Sequence, residues 1–218
     1  MKWLALLLTL MMPATAMAAQ GISLGWPVAC NYGRDCFIQN YVDEDSTGAA
    51  RDFTCGPLTY DGHKGTDIRL MNIFAMHKGI PVLAAADGTV RATRDGMNDI
   101  SIRQQAPDAV KQRECGNGVV LDHPAGYETQ YCHMMNGSIL VTQGQKVKAG
   151  DVLGRIGMSG QTEFPHLHFE VRRLGRVIDP YTAHPAGGAC GKASSTLWAN
   201  APAYIPTALL GHGFMPMV

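Results

Sequence analysis

The sequence predicts an all-β, β-rich domain built on an antiparallel sheet, and three observations predict it. From about Tyr60 to Pro180 the chain runs as apolar stretches of about five to eight residues, the length of strands. Turn formers separate them, notably Asp87-Gly88, Pro124-Ala125-Gly126 and Lys148-Ala149-Gly150. No stretch in that span has room for a long helix at helical apolar spacing.

In chain order, "IPVLAAADGTVRAT" reads as two strands about an Asp-Gly turn, and "GNGVVLDHPAGYETQYCHM" as a hairpin. "ILVTQGQKVKAGDVLGRIGMSG" supplies two more short strands, and "HLHFEVRR" a last one. The polar segment Asp95 to Arg113 interrupts the pattern as an inserted loop, with a short helix expected around Pro107 to Arg113.

Residues 1–19 have one lysine, an apolar run too short to span a bilayer and the small-residue pattern Ala16-Met17-Ala18, which together read as a secretory signal peptide. A cut after Ala19 removes Lys2 and no acid, so the formal charge becomes −1. A near-neutral chain without a basic cluster gives no electrostatic case for nucleic acid or an anionic membrane. No later apolar run is long enough for a membrane span, so a soluble exported chain is expected. All six cysteines, at 30, 36, 55, 115, 132 and 190, lie beyond that cut without a Cys-x-x-Cys pair, which predicts three disulfides. Only Cys115 with Cys132 is suggested as a pair, because the two flank one predicted hairpin.

The expected organisation is a signal peptide over 1–19, a loop-like but ordered N-terminal arm held by disulfides over 20–55, the β domain over 56–181 and an Ala-, Gly- and Pro-rich tail or surface wrap over 182–218.

Chemistry-bearing residues cluster in three places. In "EFPHLHFEVRR" strand alternation puts His166 and His168 on one face and Leu167 and Phe169 on the other. Two imidazoles that close need a metal ion, a carboxylate or a reacting group to satisfy their ring nitrogens. In "YDGHKGTDIRL" His63 and Asp67 lie four apart around Gly65, which permits a tight course so that both side chains can meet one ion. Two histidines and a carboxylate suit zinc with a fourth position open. The third place is His133, at the end of the strand "YETQYCHM". Glu170 shares the face of His166 and His168, where it either orients a ligand from behind or, the reading preferred here, is a solvated strand carboxylate; His77, His123, His184 and His212 are expected to be surface or structural.

Taken in order, "YDGHKGTD", "YCHM" and "MSGQTEFPHLHFE" resemble the M23 family of zinc metallopeptidases, the lysostaphin-like cell-wall endopeptidases. The likeness extends to "GIPVLAAADGTV", "VTQGQKVKAGDVLGRIGMSG" and "VIDPY", covering roughly Tyr60 to Tyr181. The resemblance implies the lysostaphin-like antiparallel core and one zinc ion per chain held by His63, Asp67 and His168, with His133 and His166 as catalytic residues. It implies hydrolysis of peptidoglycan peptide cross-links through a zinc-activated water, in an exported protein expected in a Gram-negative periplasm. Degenerate members of the family act instead as regulators that bind wall peptide or activate an amidase, although all five positions are filled here by the expected residue types. The chain departs from the usual pattern in Cys132 before His133, in the long loop from Asp95 to Arg113 and in its cysteine-bearing extensions.

Overall fold

Alternation along one long strand sets the two faces of the sheet. The computed structural model describes residues 21–106, 108–188, 190–191 and 195–206; the signal peptide expected over 1–19 lies outside them, as does His212. In strand β9 (His166–Arg173), Leu167, Phe169 and Val171 are essentially fully buried, while His166, His168 and Glu170 take the other side. Each neighbour repeats this division. β2 (Thr66–Leu70) pairs with β9 on one flank and β6 (Tyr127–Met134) on the other, and all pairings are antiparallel.

The full sheet runs β1 (Cys36–Asn40), β2, β9, β6, β5 (Asn117–Asp122), β4 (Gly88–Arg94), β7 (Lys146–Val147), with β10 (Arg176–Val177) paired to β9. A second pair, β3 (Pro81–Leu83) with β8 (Val152–Arg155), carries Val82 and Leu153 into the same core as Ile68, Leu121, Tyr131 and Phe169. The Tyr131 hydroxyl accepts the Ala85 amide at 2.8 Å, so the phenol is buried with its polar end satisfied. One five-residue helix, α1 (Ile73–His77), and two 3-10 turns at Ile102–Gln104 and Pro124–Gly126 complete the regular structure of the described residues. The strand-rich antiparallel fold is thus the one the sequence predicts.

Two local expectations fail. The helix expected around Pro107 to Arg113 is absent over its described residues, 108–113, which form turns. Backbone bonds of three-residue span, Lys111 N to Asp108 O and Arg113 N to Val110 O, close these turns, while upstream Asp95 and Asp99 fasten the inserted loop by accepting backbone N–H groups of Gly137, Ile139, Asn136 and Met158. The arm is also more than loop, because β1 extends the main sheet through its pairing with β2.

The cysteines form Cys30–Cys36, Cys55–Cys190 and Cys115–Cys132, the last as expected. With a separation of 135 residues, Cys55–Cys190 restrains the unfolded chain most, by about 5 kcal/mol against about 2 kcal/mol for a loop as short as Cys30–Cys36 in the chain-entropy model. It clamps the arm to the tail where Leu24 bridges Trp198 and the Tyr204 hydroxyl donates to Asp52. Stacked and edge-on rings of Tyr41, Phe53, Tyr181 and Tyr204 fill the junction.

A second tie is electrostatic. Glu44 in the arm and Asp179 at the end of the domain are both buried, and Glu44 Oε1 and Asp179 Oδ2 have no donor among the described residues. The two carboxyl groups interact in a buried setting, and because two ionised carboxylates there repel each other, the pair is expected to share a proton. Burial, then the facing carboxylates, raises Asp179 well above the usual range, while Asp43, Asp52 and His184 are the other charged groups around the pair. A carboxyl with a raised folded-state pKa stabilises the fold fully below its unfolded pKa of about 4, and the contribution is lost as pH climbs toward the folded value. Asp179→Asn is therefore expected to gain melting temperature relative to the natural chain as pH rises from 4 to 7.5, both measured with chelator present. Parallel curves would contradict the shared proton.

Candidate metal centre and groove

On adjacent strands Asp67 stands opposite His168, and the two side chains leave the sheet on the same face. Asp67 Oδ1 lies 2.8 Å from His168 Nδ1. His63 comes from the loop entering β2, with Nε2 3.2 Å from Asp67 Oδ1 and 3.2 Å from His168 Nδ1. Gly65 makes this approach possible, since a Cβ there would fall 2.7 Å from the His168 ring. The His63 Nδ1–H donates to the Tyr41 carbonyl at 2.7 Å, which fixes the tautomer and turns the Nε2 lone pair inward.

Three acceptor atoms therefore crowd one point in a largely buried setting, an arrangement that demands a cation. Two imidazole nitrogens and one carboxylate oxygen, all within 4.8 Å of one another, make a donor set that fits a zinc ion with a fourth position open. Without metal, protons must fill the role. Burial alone would lower His168, but Asp67 and Glu170 outweigh it and raise it to about 9. Burial likewise opposes ionisation of Asp67, yet His166, His63 and His168 hold its carboxyl well below the usual range.

His166 follows simple alternation. It projects beside His168, its Nδ1 is 3.0 Å from the Phe164 carbonyl and 3.0 Å from Thr162 Oγ1, and its Nε2 is 3.6 Å from Asp67 Oδ1. His133 does not. Tyr131 of β6 points into the core, so strict period two would send His133 there as well. Instead the β5–β6 register shifts between Asn117 and Val119, so that Cys132 and His133 together face Gly118, and His133 adopts φ +61°. The bulge turns the ring onto the metal face, 4.7 Å from His166 and 6.0 Å from His168 by ring centroids. A Cβ on Gly118 would fall 2.5 Å from the Tyr131 carbonyl, and the Cys115–Cys132 disulfide closes over the same place. The His133 amide donates to Cys115 O and its ring Nδ1–H to Ser159 O, each at 2.8 Å, leaving Nε2 free to accept. Burial, then the neighbouring histidines, pushes His133 well below its ordinary value, and burial lowers His166 too, so both rings are neutral at pH 7.

A groove of about 360 Å³ opens over this cluster, lined by Tyr60, Glu114, Gln130, His133, Gln161 and Glu170 among others. None of the described arm residues, 21–55, is among the lining residues of this groove. Glu170 is not the solvated carboxylate expected first: it is buried, its Oε2 lies 3.7 Å from His168 Nε2 and its Oε1 accepts from Arg172 at 2.7 Å, which accords with the other expected role, beside His168. His123, outside the site, is structural as expected, bonding to Asp87 O and Thr129 Oγ1. Sequence reasoning assigned no role to Asn40, Tyr41, Ser159 and Thr162, all of which touch a site side chain; the last two lie within the stretch MSGQTEFPHLHFE, whereas nothing in the spacing points to Asn40 or Tyr41.

A family model described as peptidase family M23 matches residues 61–180. Peptidoglycan DD-endopeptidase ShyA of Vibrio cholerae is 35% identical over 122 residues, covering 56% of this chain and 23% of that protein. An uncharacterized metalloprotease of Haemophilus influenzae is 35% identical over 133 residues, covering 61% of this chain and 23% of that protein. The chain thus spans about a quarter of the length of these curated relatives. Among solved structures, that of the SpoIIQ–SpoIIIAH pore forming complex matches with a TM-score of 0.53 at 22% identity, over 76% of this chain and 93% of that one, a likeness of fold alone.

Proposed function

The chain belongs to peptidase family M23, and on that premise we propose that it is an exported zinc metalloendopeptidase that hydrolyses peptide cross-links of peptidoglycan. The observation that carries the reading is the convergence of His63 Nε2, Asp67 Oδ1 and His168 Nδ1 on one point, beside two neutral histidines and under an open groove. In this reading those three residues hold the metal and His133 and His166 act on the substrate. A bound zinc ion supplies Lewis acidity toward the scissile carbonyl and makes a water acidic near neutral pH.

The remaining work falls to the chain. His133 and His166 each have Nδ1 beside a backbone carbonyl, so each presents Nε2 as an acceptor toward the site. Being neutral at pH 7, they can take the proton of the attacking water and return it to the departing amine. His133 is the one that lines the groove, where a substrate carbonyl would lie. Asp67 is held ionised, and Glu170 with Asp67 orients the His168 ring.

Three disulfides support an oxidising compartment, and with the signal-like N-terminus they favour the periplasm of a Gram-negative cell. No helix among the described residues is long and apolar enough to cross a membrane. The competing reading, a non-catalytic regulator on the same fold, requires no zinc and no turnover. Incubating purified sacculi with the protein separates them: soluble muropeptides are expected, abolished by chelation and restored by added zinc. Release that persists with zinc verified absent would overturn the mechanism, and no release from zinc-loaded protein would favour the regulator.

A further inference from the structure

The family match starts at residue 61, yet two of the three converging donors are held from behind by residues ahead of it. Tyr41 receives the His63 Nδ1–H through its carbonyl. Asn40 Nδ2 lies 3.1 Å from Asp67 Oδ2, and facing a carboxylate its amide can only donate. This bond occupies the oxygen turned away from the histidines and leaves Oδ1 as the inward one.

The placement of Asn40 depends on an irregularity in β1. Ile38 pairs with Ile68, and both are buried in the core. Two residues further, Asn40 would share the face of Ile38 by alternation. The register shifts, so that Asn40 pairs with Asp67, one residue from Ile68, and the unpaired Gln39 takes up the difference. The bulge therefore rotates Asn40 from the core face to the face that Asp67 occupies. This is the device that turns His133 onto the same face three strands away in the sheet order, from β1 through β2 and β9 to β6. The arm is fixed there by Cys30–Cys36 at one end of β1 and by Cys55–Cys190 beyond it.

From these contacts we infer that Asn40 is a positioning residue for the metal: its amide fixes the Asp67 carboxylate for one-oxygen ligation, making the arm an integral part of the centre. The inference rests on the reading that His63, Asp67 and His168 hold a metal ion. Removing an outer partner of a metal ligand weakens affinity by about 10- to 100-fold.

The test is the zinc dissociation constant of the full exported chain, obtained by competition with a chromophoric chelator, for the natural protein, Asn40→Leu and Asn40→Ala. Leucine keeps the approximate shape of asparagine without a donor, and alanine leaves space for water. Melting curves of the metal-free proteins show the folded fraction, to which each constant is referred. Both variants are expected to bind zinc about 10- to 100-fold more weakly while folded, and the visible spectrum of the Co²⁺-loaded form is expected to shift. If the natural protein binds zinc tightly and the folded variants match it within about twofold, the inference falls and the metal reading stands. If the natural protein itself fails to take up one zinc per chain, the reading of the site falls and the inference with it.

Discussion

Replacing His168 by alanine is expected to remove both the metal and the activity. His168 Nδ1 is the donor nearest Asp67 Oδ1, at 2.8 Å, and without it only His63 and Asp67 remain. Two protein ligands fall short of the three that a catalytic zinc site uses. The loss should not come from unfolding. The His168 side chain is among the more open of the cluster and borders the groove, so truncation leaves a space that water can enter and not a sealed cavity. It also removes a group whose charge Asp67 and Glu170 draw on in the metal-free state, so some melting temperature is lost with it. Zinc by plasma mass spectrometry, measured beside sacculus hydrolysis and a metal-free melting curve, gives the result. Stoichiometric zinc in folded His168→Ala would remove that residue from the ligand set.

The two other histidines should separate binding from chemistry. His166→Gln and His133→Asn are expected to retain near-stoichiometric zinc and to lower turnover by about 10²- to 10⁴-fold, the contribution of a positioned acid–base group. Asparagine is chosen at 133 because that residue sits at φ +61°, a conformation asparagine adopts more readily than alanine, so the bulge survives. Neither amide can accept and return a proton near pH 7. Equal zinc loss at 166 and 168 would overturn the division of roles, and full activity in His133→Asn would take that residue out of the mechanism.

Much of the fold was legible because its signals are local. The strand β9 reads from six alternating residues, the turns from Asp-Gly and Ala-Gly steps, and the pair Cys115–Cys132 from a hairpin that brings its flanks together. The arm was less legible. Its strand β1 is only five residues long and is stabilised by pairing with β2 and by two disulfides, none of which leaves a period in the sequence. The inserted loop misled because residues 108–113 close separate turns through backbone bonds such as Lys111 N to Asp108 O and Arg113 N to Val110 O, without the successive bonds of a helix.

By itself the sequence determined the antiparallel class, the cysteine count, the common face of His166 and His168, and the proximity of His63 to Asp67 through Gly65. Each follows from steric rules acting over a few residues. The tertiary structure alone decided which residues leave the core face. Strand periodicity assigns His133 to the side of Tyr131 and Asn40 to the side of Ile38, both in the core. Each is turned to the metal face by a bulge, and a bulge exists only as a mismatch in length between two paired strands, Asn117–Val119 against Tyr131–Met134 and Ile68–Asp67 against Ile38–Asn40. The burial of Glu170 has the same origin, because strands on both sides of β9 and the Arg172 guanidinium close over a carboxylate that one strand alone would leave in water. Pairing register is a property of two segments far apart in the chain, so no reading of either segment alone contains it.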